Sequence, residues 1–186
     1  LNLSGNDSGN ITSDKTILPP TLQVINVSSV SWSKDSLLSF LQLIFEDNFV
    51  HGIKLNLSNA ALKKSDWSDI MDYLKQCNPS QLTELDWSGN PINSDFSDFL
   101  SRCNNLKILK INSCLEDPQS ATDLGETIAN LPSLTGLYAS GSSDHSIGPN
   151  ISEFLSKLEG SQSLKLLDIH SQKIEHEGLE SVANLV

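Results

Sequence analysis

One phrase recurs along this chain and narrows its possible folds more than any other feature: L-x-x-L-x-L-x-x-N-x-L. With its first leucine as step 0, it asks for apolar residues at steps 0, 3, 5 and 10 and a small or amide residue at step 8. From Leu82 it reads Leu82, Leu85, Trp87, Asn90, Ile92; from Leu22, Leu22, Ile25, Val27, Val30, Trp32; from Leu164, Leu164, Leu167, Ile169, Gln172, Ile174. Weaker copies start at Gly52 (Ile53 beside it, then Leu55, Leu57, Ala60, Leu62), at Leu106 (Leu109, Ile111, Cys114) and at Leu134 (Leu137, Ala139, Ser142). The starts lie 30, 30, 24, 28 and 30 residues apart, intervals that chance does not produce. Leu1, Leu3 and Asn6 fit steps 3, 5 and 8 of one further copy.

After each phrase the apolar period changes from alternation to the i, i+3, i+4, i+7 stripe of a helix. The stripes are Trp67, Ile70, Met71, Leu74; Phe96, Phe99, Leu100, Cys103; Ile151, Phe154, Leu155, Leu158; and Leu179, Val182, Ala183, Val186. Acidic residues near the starts, in "SDWSD" from Ser65 and "SDFSD" from Ser94, are expected to cap free amides and complement the helix dipole. The pattern predicts an α/β fold, a ribonuclease-inhibitor-like leucine-rich repeat solenoid with a parallel concave sheet and convex helices. Residues 1–186 read as one repeat-domain fragment of about seven repeats, both ends uncapped, with an irregular segment over residues 7–20. That segment is either a true loop or brackets missing residues. Leu37, Leu38, Phe40, Leu41, Leu43, Ile44 and Phe45 are too many for one buried face. Either the irregular segment or another chain covers the outer side of that helix, or its own repeat neighbours do.

Composition excludes several function classes. The chain has 12 basic against 23 acidic residues, a net charge of −11 and one arginine, Arg102. Phosphate backbones and anionic membranes are gripped by lysine and arginine, so neither nucleic acid nor direct membrane contact is expected. Cys77, Cys103 and Cys114 lack C-x-x-C spacing and read as reduced, buried thiols of a cytoplasmic protein. Against this, N-x-[ST] triplets begin at Asn2, Asn6, Asn10, Asn26, Asn56 and Asn150. Those at Asn2, Asn26 and Asn56 belong to the recurring phrase and so have a structural cause. Repeats of 28–30 residues are also longer than the roughly 24 usual for extracellular arrays.

No phosphate-loop or H-E-x-x-H motif occurs. The densest set of potential ligands, His170, Glu175, His176 and Glu177, divides between a strand and a helix and reads as solvated surface. The expectation is a protein without catalytic residues, metal or cofactor. Steps 2, 4 and 6 project from the concave sheet. The central column, step 4, supplies the candidate protein-binding residues Asn56, Asp86, Lys110, Tyr138 and Asp168, with Asn2 and Asn26 ahead of them. Step 6 reads Ser4, Ser28, Ser58, Ser88, Asn112, Ser140 and His170, a ladder of small polar residues with a structural role.

The order of these phrases carries a resemblance. "LNLSGN", a proline-containing stretch, "LQVINVSSVSWSKDSLLSFLQLI" and "GIKLNLSNAALKKSDWSDIMDYL" are similar to the middle repeats of CARMIL proteins, the linkers of actin capping protein, the Arp complex and myosin-I. "LTELDWSGNPINSDFSDFLSRCNNLKILKI" and "IGPNISEFLSKLEGSQSLKLLDIHSQKI" continue the likeness over almost the whole chain. The resemblance implies a non-catalytic scaffold regulating actin assembly at the cell cortex, whose capping-protein-binding motif lies outside this fragment. It implies actin capping protein and myosin-I as partners through the parent chain, cortical attachment through other domains, and a parent that dimerises through a helical region. The alternatives are an immune or effector recognition module, or a Ran GTPase-activating protein of the same solenoid class.

Overall fold

The structure, a computed structural model, describes residues 1–9, 18–46 and 49–184. It is an α/β arrangement in which strand and helix alternate: β1 (Val24–Asn26), α1 (Lys34–Glu46), β2 (Ile53–Asn56), α2 (Trp67–Leu74), β3 (Leu82–Asp86), α3 (Ser94–Leu100), β4 (Ile108–Lys110), α4 (Pro118–Ala129), β5 (Gly136–Tyr138), α5 (Ile151–Leu158), β6 (Leu166–Asp168) and α6 (His176–Asn184). The six strands form one parallel sheet in sequential order. Each helix from α1 to α5 is thus the crossover that parallel pairing requires. Asn2 adds an isolated parallel bridge to Asn26.

The strands fall where the phrase predicts, and steps 3 and 5 form the core. Ile25, Leu55, Leu85, Leu109 and Leu137 are buried, as are Val27, Leu57, Trp87, Ile111 and Ala139. They pack in one cluster with the helix stripes Trp67–Ile70–Met71–Leu74, Phe96–Phe99–Leu100 and Ile151–Phe154–Leu155–Leu158. Gly52, the weak start, is explained by its neighbour. Ile53 is fully buried and pairs with Leu82, and the register shifts between Ile53 and Lys54 to allow it. Trp87, the largest step-5 residue, stacks on Phe96 (4.8 Å between centroids) and meets Trp67 edge-on (5.4 Å). Its indole N–H donates to the Pro91 carbonyl at 2.9 Å.

Polar side chains seal the turns that follow the strands. Asn90 at step 8 is buried; its Nδ2 donates to Leu57 O (2.8 Å) and its Oδ1 accepts from Ala60 N–H (2.9 Å). Gln172 does the same in the repeat at the far edge, donating to Ala139 O (2.6 Å) and accepting from Ile147 N–H (3.1 Å). Step 7 turns through left-handed backbone at Gly5, Ser29, Asn59, Gly89, Ser113 and Ser171. Arg102 serves the fold: its guanidinium donates to the carbonyls of Cys77 and Leu74 at the C-terminal end of α2.

Three expectations are corrected. The acidic residues of "SDFSD" do not cap α3; Asn93 does, accepting from Phe96 N–H at 3.0 Å, while Asp95 binds Lys75 at 2.5 Å. Asp66, at the start of α2, makes no side-chain cap bond. In α6, Leu179 is 61% exposed and Ala183 is exposed, because Gly178 is the point of closest approach; a Cβ there would lie 2.9 Å from Ile151 and 2.7 Å from Ile174. That contact turns Val182 toward the core and Leu179 outward. The fourth member of that stripe, Val186, lies outside the described residues.

For α1, most of the cover comes from its own neighbours. Trp32 lies against Phe40 (5.1 Å) and Phe99 against Phe45 (5.8 Å), and Leu37, Phe40, Leu41, Leu43, Ile44 and Phe45 are all buried. From the irregular segment, Gly9 accepts from Ser36 Oγ at 2.9 Å and Leu18 packs on the core. Residues 10–17 of that segment, Asn10 among them, lie outside the described residues.

Truncating Trp87 to alanine empties a buried site walled by two aromatic rings. The expected loss is about 3–5 kcal/mol, read as a lowered denaturation midpoint in urea; an unchanged midpoint would contradict the core position.

Candidate interaction surface

The step-4 column forms in register. Asn26 pairs with Asn56, Asn56 with Asp86, Asp86 with Lys110, Lys110 with Tyr138, and Tyr138 with Asp168. These residues share the sheet face opposite the core, because successive side chains of a strand alternate. The structure therefore brings all five candidates, Asn56, Asp86, Lys110, Tyr138 and Asp168, into one row.

Much of that row is engaged in holding its own turns. The side-chain Oδ1 of Asn2, Asn26, Asn56, Asp86 and Asp168 accepts the backbone N–H two residues on, at 3.0–3.2 Å. Lysine and tyrosine cannot accept in this way, and at those two positions the neighbouring repeat takes over. Ser88 Oγ accepts from Asn112 N–H (3.1 Å), and Asn112 Oδ1 accepts from Ser140 N–H (2.9 Å) and Ser140 Oγ (2.8 Å). The step-6 ladder is structural at this point, as its composition suggested.

What stays available centres on Lys110 and Tyr138. Lys110 Nζ stands 5.7 Å from the Tyr138 ring centroid and 3.6 Å from Glu84, whose other carboxylate oxygen reaches Lys54 at 3.2 Å. Glu84 and Lys54 occupy step 2, one row from the candidates, and sequence reasoning missed them. Their signal was the opposite charges at matched steps of adjacent strands. At the far edge, Asp168 Oδ1 lies 2.7 Å from His170 Nδ1, and that hydrogen bond holds its carboxyl below the ordinary aspartate range.

The other candidate groups are separated. His170 pairs with Asp168 and His176 with Glu180 (3.5 Å), so the cluster read in the sequence divides as expected. Among the described residues no three histidine, cysteine or carboxylate side chains converge as a metal site. All three cysteines are free and buried, and burial pushes the Cys77 and Cys114 thiols up to about 12. No helix among the described residues is long and apolar enough to cross a membrane.

A groove of about 560 Å³ lies along the loops that follow β2, β3, β4 and β5, with Leu62, Ile92, Glu116, Asp117 and His145 among its walls. Asp117 there accepts from Ser120 N–H at 2.8 Å and caps α4; these bonds hold its carboxyl below the ordinary range. No protein-family model matches the sequence, and a search of curated proteins finds no match.

Because the folded-state pKa of Asp117 is depressed, its cap stabilises the fold above the unfolded aspartate value, about 3.9, and loses that contribution as pH falls through the folded value. An Asp117→Ala variant is expected to melt below wild type at pH 7, with the gap closing under acid; a gap of constant size from pH 7 to pH 2 would remove the charged cap.

Proposed function

We propose that this chain is a ribonuclease-inhibitor-like leucine-rich repeat solenoid serving as a protein-interaction scaffold without catalysis of its own. The observation that carries the reading is the in-register step-4 row. It presents successive side chains at the fixed strand spacing of about 4.8 Å, with Lys110, Tyr138 and Glu84 as a charged and aromatic centre. A broad, rigid face made by repetition suits a macromolecular partner, since each repeat adds contact area without new folding problems. Tyrosine is an apt anchor because it supplies contact area and a polar end together.

The similarity of the phrases to CARMIL repeats supports a more specific setting. In it the chain is the middle of a cytoplasmic scaffold that regulates actin assembly at the cell cortex, acting through actin capping protein, with myosin-I as a further partner. The capping-protein motif would lie outside these repeats, which then space and orient it. The net charge of −11 suits such a role, since it keeps an exposed scaffold off nucleic acid and anionic lipid.

The test is capture of purified actin capping protein by this chain and, separately, by a longer chain that contains it. Capture by the longer chain alone is expected. Capture by neither would overturn the actin assignment.

A further inference from the structure

The groove beside the strand ends arises where the repeat departs from its own rule. Step 10 is apolar at Trp32, Leu62, Ile92 and Ile174, yet the copies from Leu106 and Leu134 place Glu116 and Asp144 there. Packing does not ask for acids at these points. Leu115, one residue before Glu116, is fully buried in its stead, and Ile147 fills the core after Asp144. Both carboxylates are left on the surface, and Glu116, 59% exposed, lines the groove together with the half-buried Leu62 and Ile92 and the exposed Pro91. A local rule broken with no gain in packing marks a functional position more often than a structural one.

The walls are firm. His145, which contacts Glu116, sits on a loop closed by Ser142 N–H donating to His145 O (2.8 Å) and His145 N–H donating to Ser142 Oγ (3.1 Å). Lys173 Nζ holds the same loop through Ser143 O at 2.9 Å, and Gln172 holds its foot through Ile147 N–H. Asp117 is fixed as the α4 cap. At the other end stands Lys64, so the groove is negative at one end, apolar in its middle and positive at the other. Its volume, about 560 Å³, falls within the roughly 300–1,000 Å³ of ligand sites.

We propose that this groove docks an extended segment of a partner protein that carries a lysine or arginine beside an aliphatic side chain. The cation sits against Glu116 and Asp117, and the aliphatic group lies over Leu62 and Ile92. The end at Lys64 takes an acidic or carbonyl group. The proposal rests on the reading of the chain as a protein-interaction scaffold, but on a surface other than the open sheet face.

The test is selection of random dodecapeptides displayed on phage against the folded chain. Titration of the enriched peptide follows, by fluorescence anisotropy, against wild type, Glu116→Lys, Ile92→Ser and Lys110→Glu. Enriched peptides are expected to pair a basic with an aliphatic residue, to lose at least tenfold in affinity with Glu116→Lys, and to be unaffected by Lys110→Glu. Glu116 is exposed and among the described residues its ion pair is with His145, so its reversal leaves the fold intact, as circular dichroism will verify. No enrichment, or binding indifferent to both Glu116→Lys and Ile92→Ser, overturns the groove. Binding lost only with Lys110→Glu overturns it too, while favouring the open sheet face.

Discussion

Everything in this molecule inherits from the register between neighbouring parallel strands. Step-5 amides carry it from repeat to repeat: Val27 to Asn56 O, Leu57 to Asp86 O, Trp87 to Lys110 O, Ile111 to Tyr138 O and Ala139 to Asp168 O, all at 2.7–2.9 Å. A slip of one residue would carry Leu85 and Trp87 to solvent and Glu84 and Asp86 into the core. The turns guard against this. Left-handed backbone at step 7 lets the chain leave the sheet at the same point in each repeat, and the buried amides of Asn90 and Gln172 pair groups that the preceding turn would otherwise leave orphaned. Gly141 is the step-7 residue that keeps an ordinary φ. It needs to be glycine for space, because a Cβ would fall 2.3 Å from Ser171 O.

Strand positions were legible because a period of two with leucine at fixed steps has few alternative readings. The step-4 row followed directly, since equal steps in parallel strands must align. The helices were less uniformly legible. α4 has Ala121, Leu124, Gly125 and Ile128 as its buried stripe, and two of these are too small to stand out in a hydrophobic pattern. Gly125 is small for a reason beyond α4: a Cβ would meet Phe154 O of α5 at 2.9 Å. The exposure of Leu179 was hidden for a related reason, since the close approach at Gly178 depends on two side chains from elsewhere in the chain.

The candidate surface was legible by row but not by chemistry. Asn56, Asp86 and Asp168 looked like free polar groups, whereas their Oδ1 atoms serve their own turns. Glu84 and Lys54 became visible only when adjacent strands were aligned. The groove was the least legible feature, because its walls come from loops of four repeats and no periodicity describes loops. Its one trace in the sequence was the weakness of the copies from Leu106 and Leu134. Regular steps thus built the frame and its open face, and the irregular ones opened an edge beside it.

The central claim, that buried amides and aligned strands lock each repeat to the next, can be tested on the unmodified chain by native-state hydrogen exchange. Ala60 lies in a loop, yet its N–H is bonded to the buried Asn90. The account predicts that Ala60 exchanges as slowly as the amides of Leu57 and Trp87, which directly follow β2 and β3 and bond to the next repeat. Exchange of Ala60 at the rate of the exposed loop amide of Asp144 would contradict it.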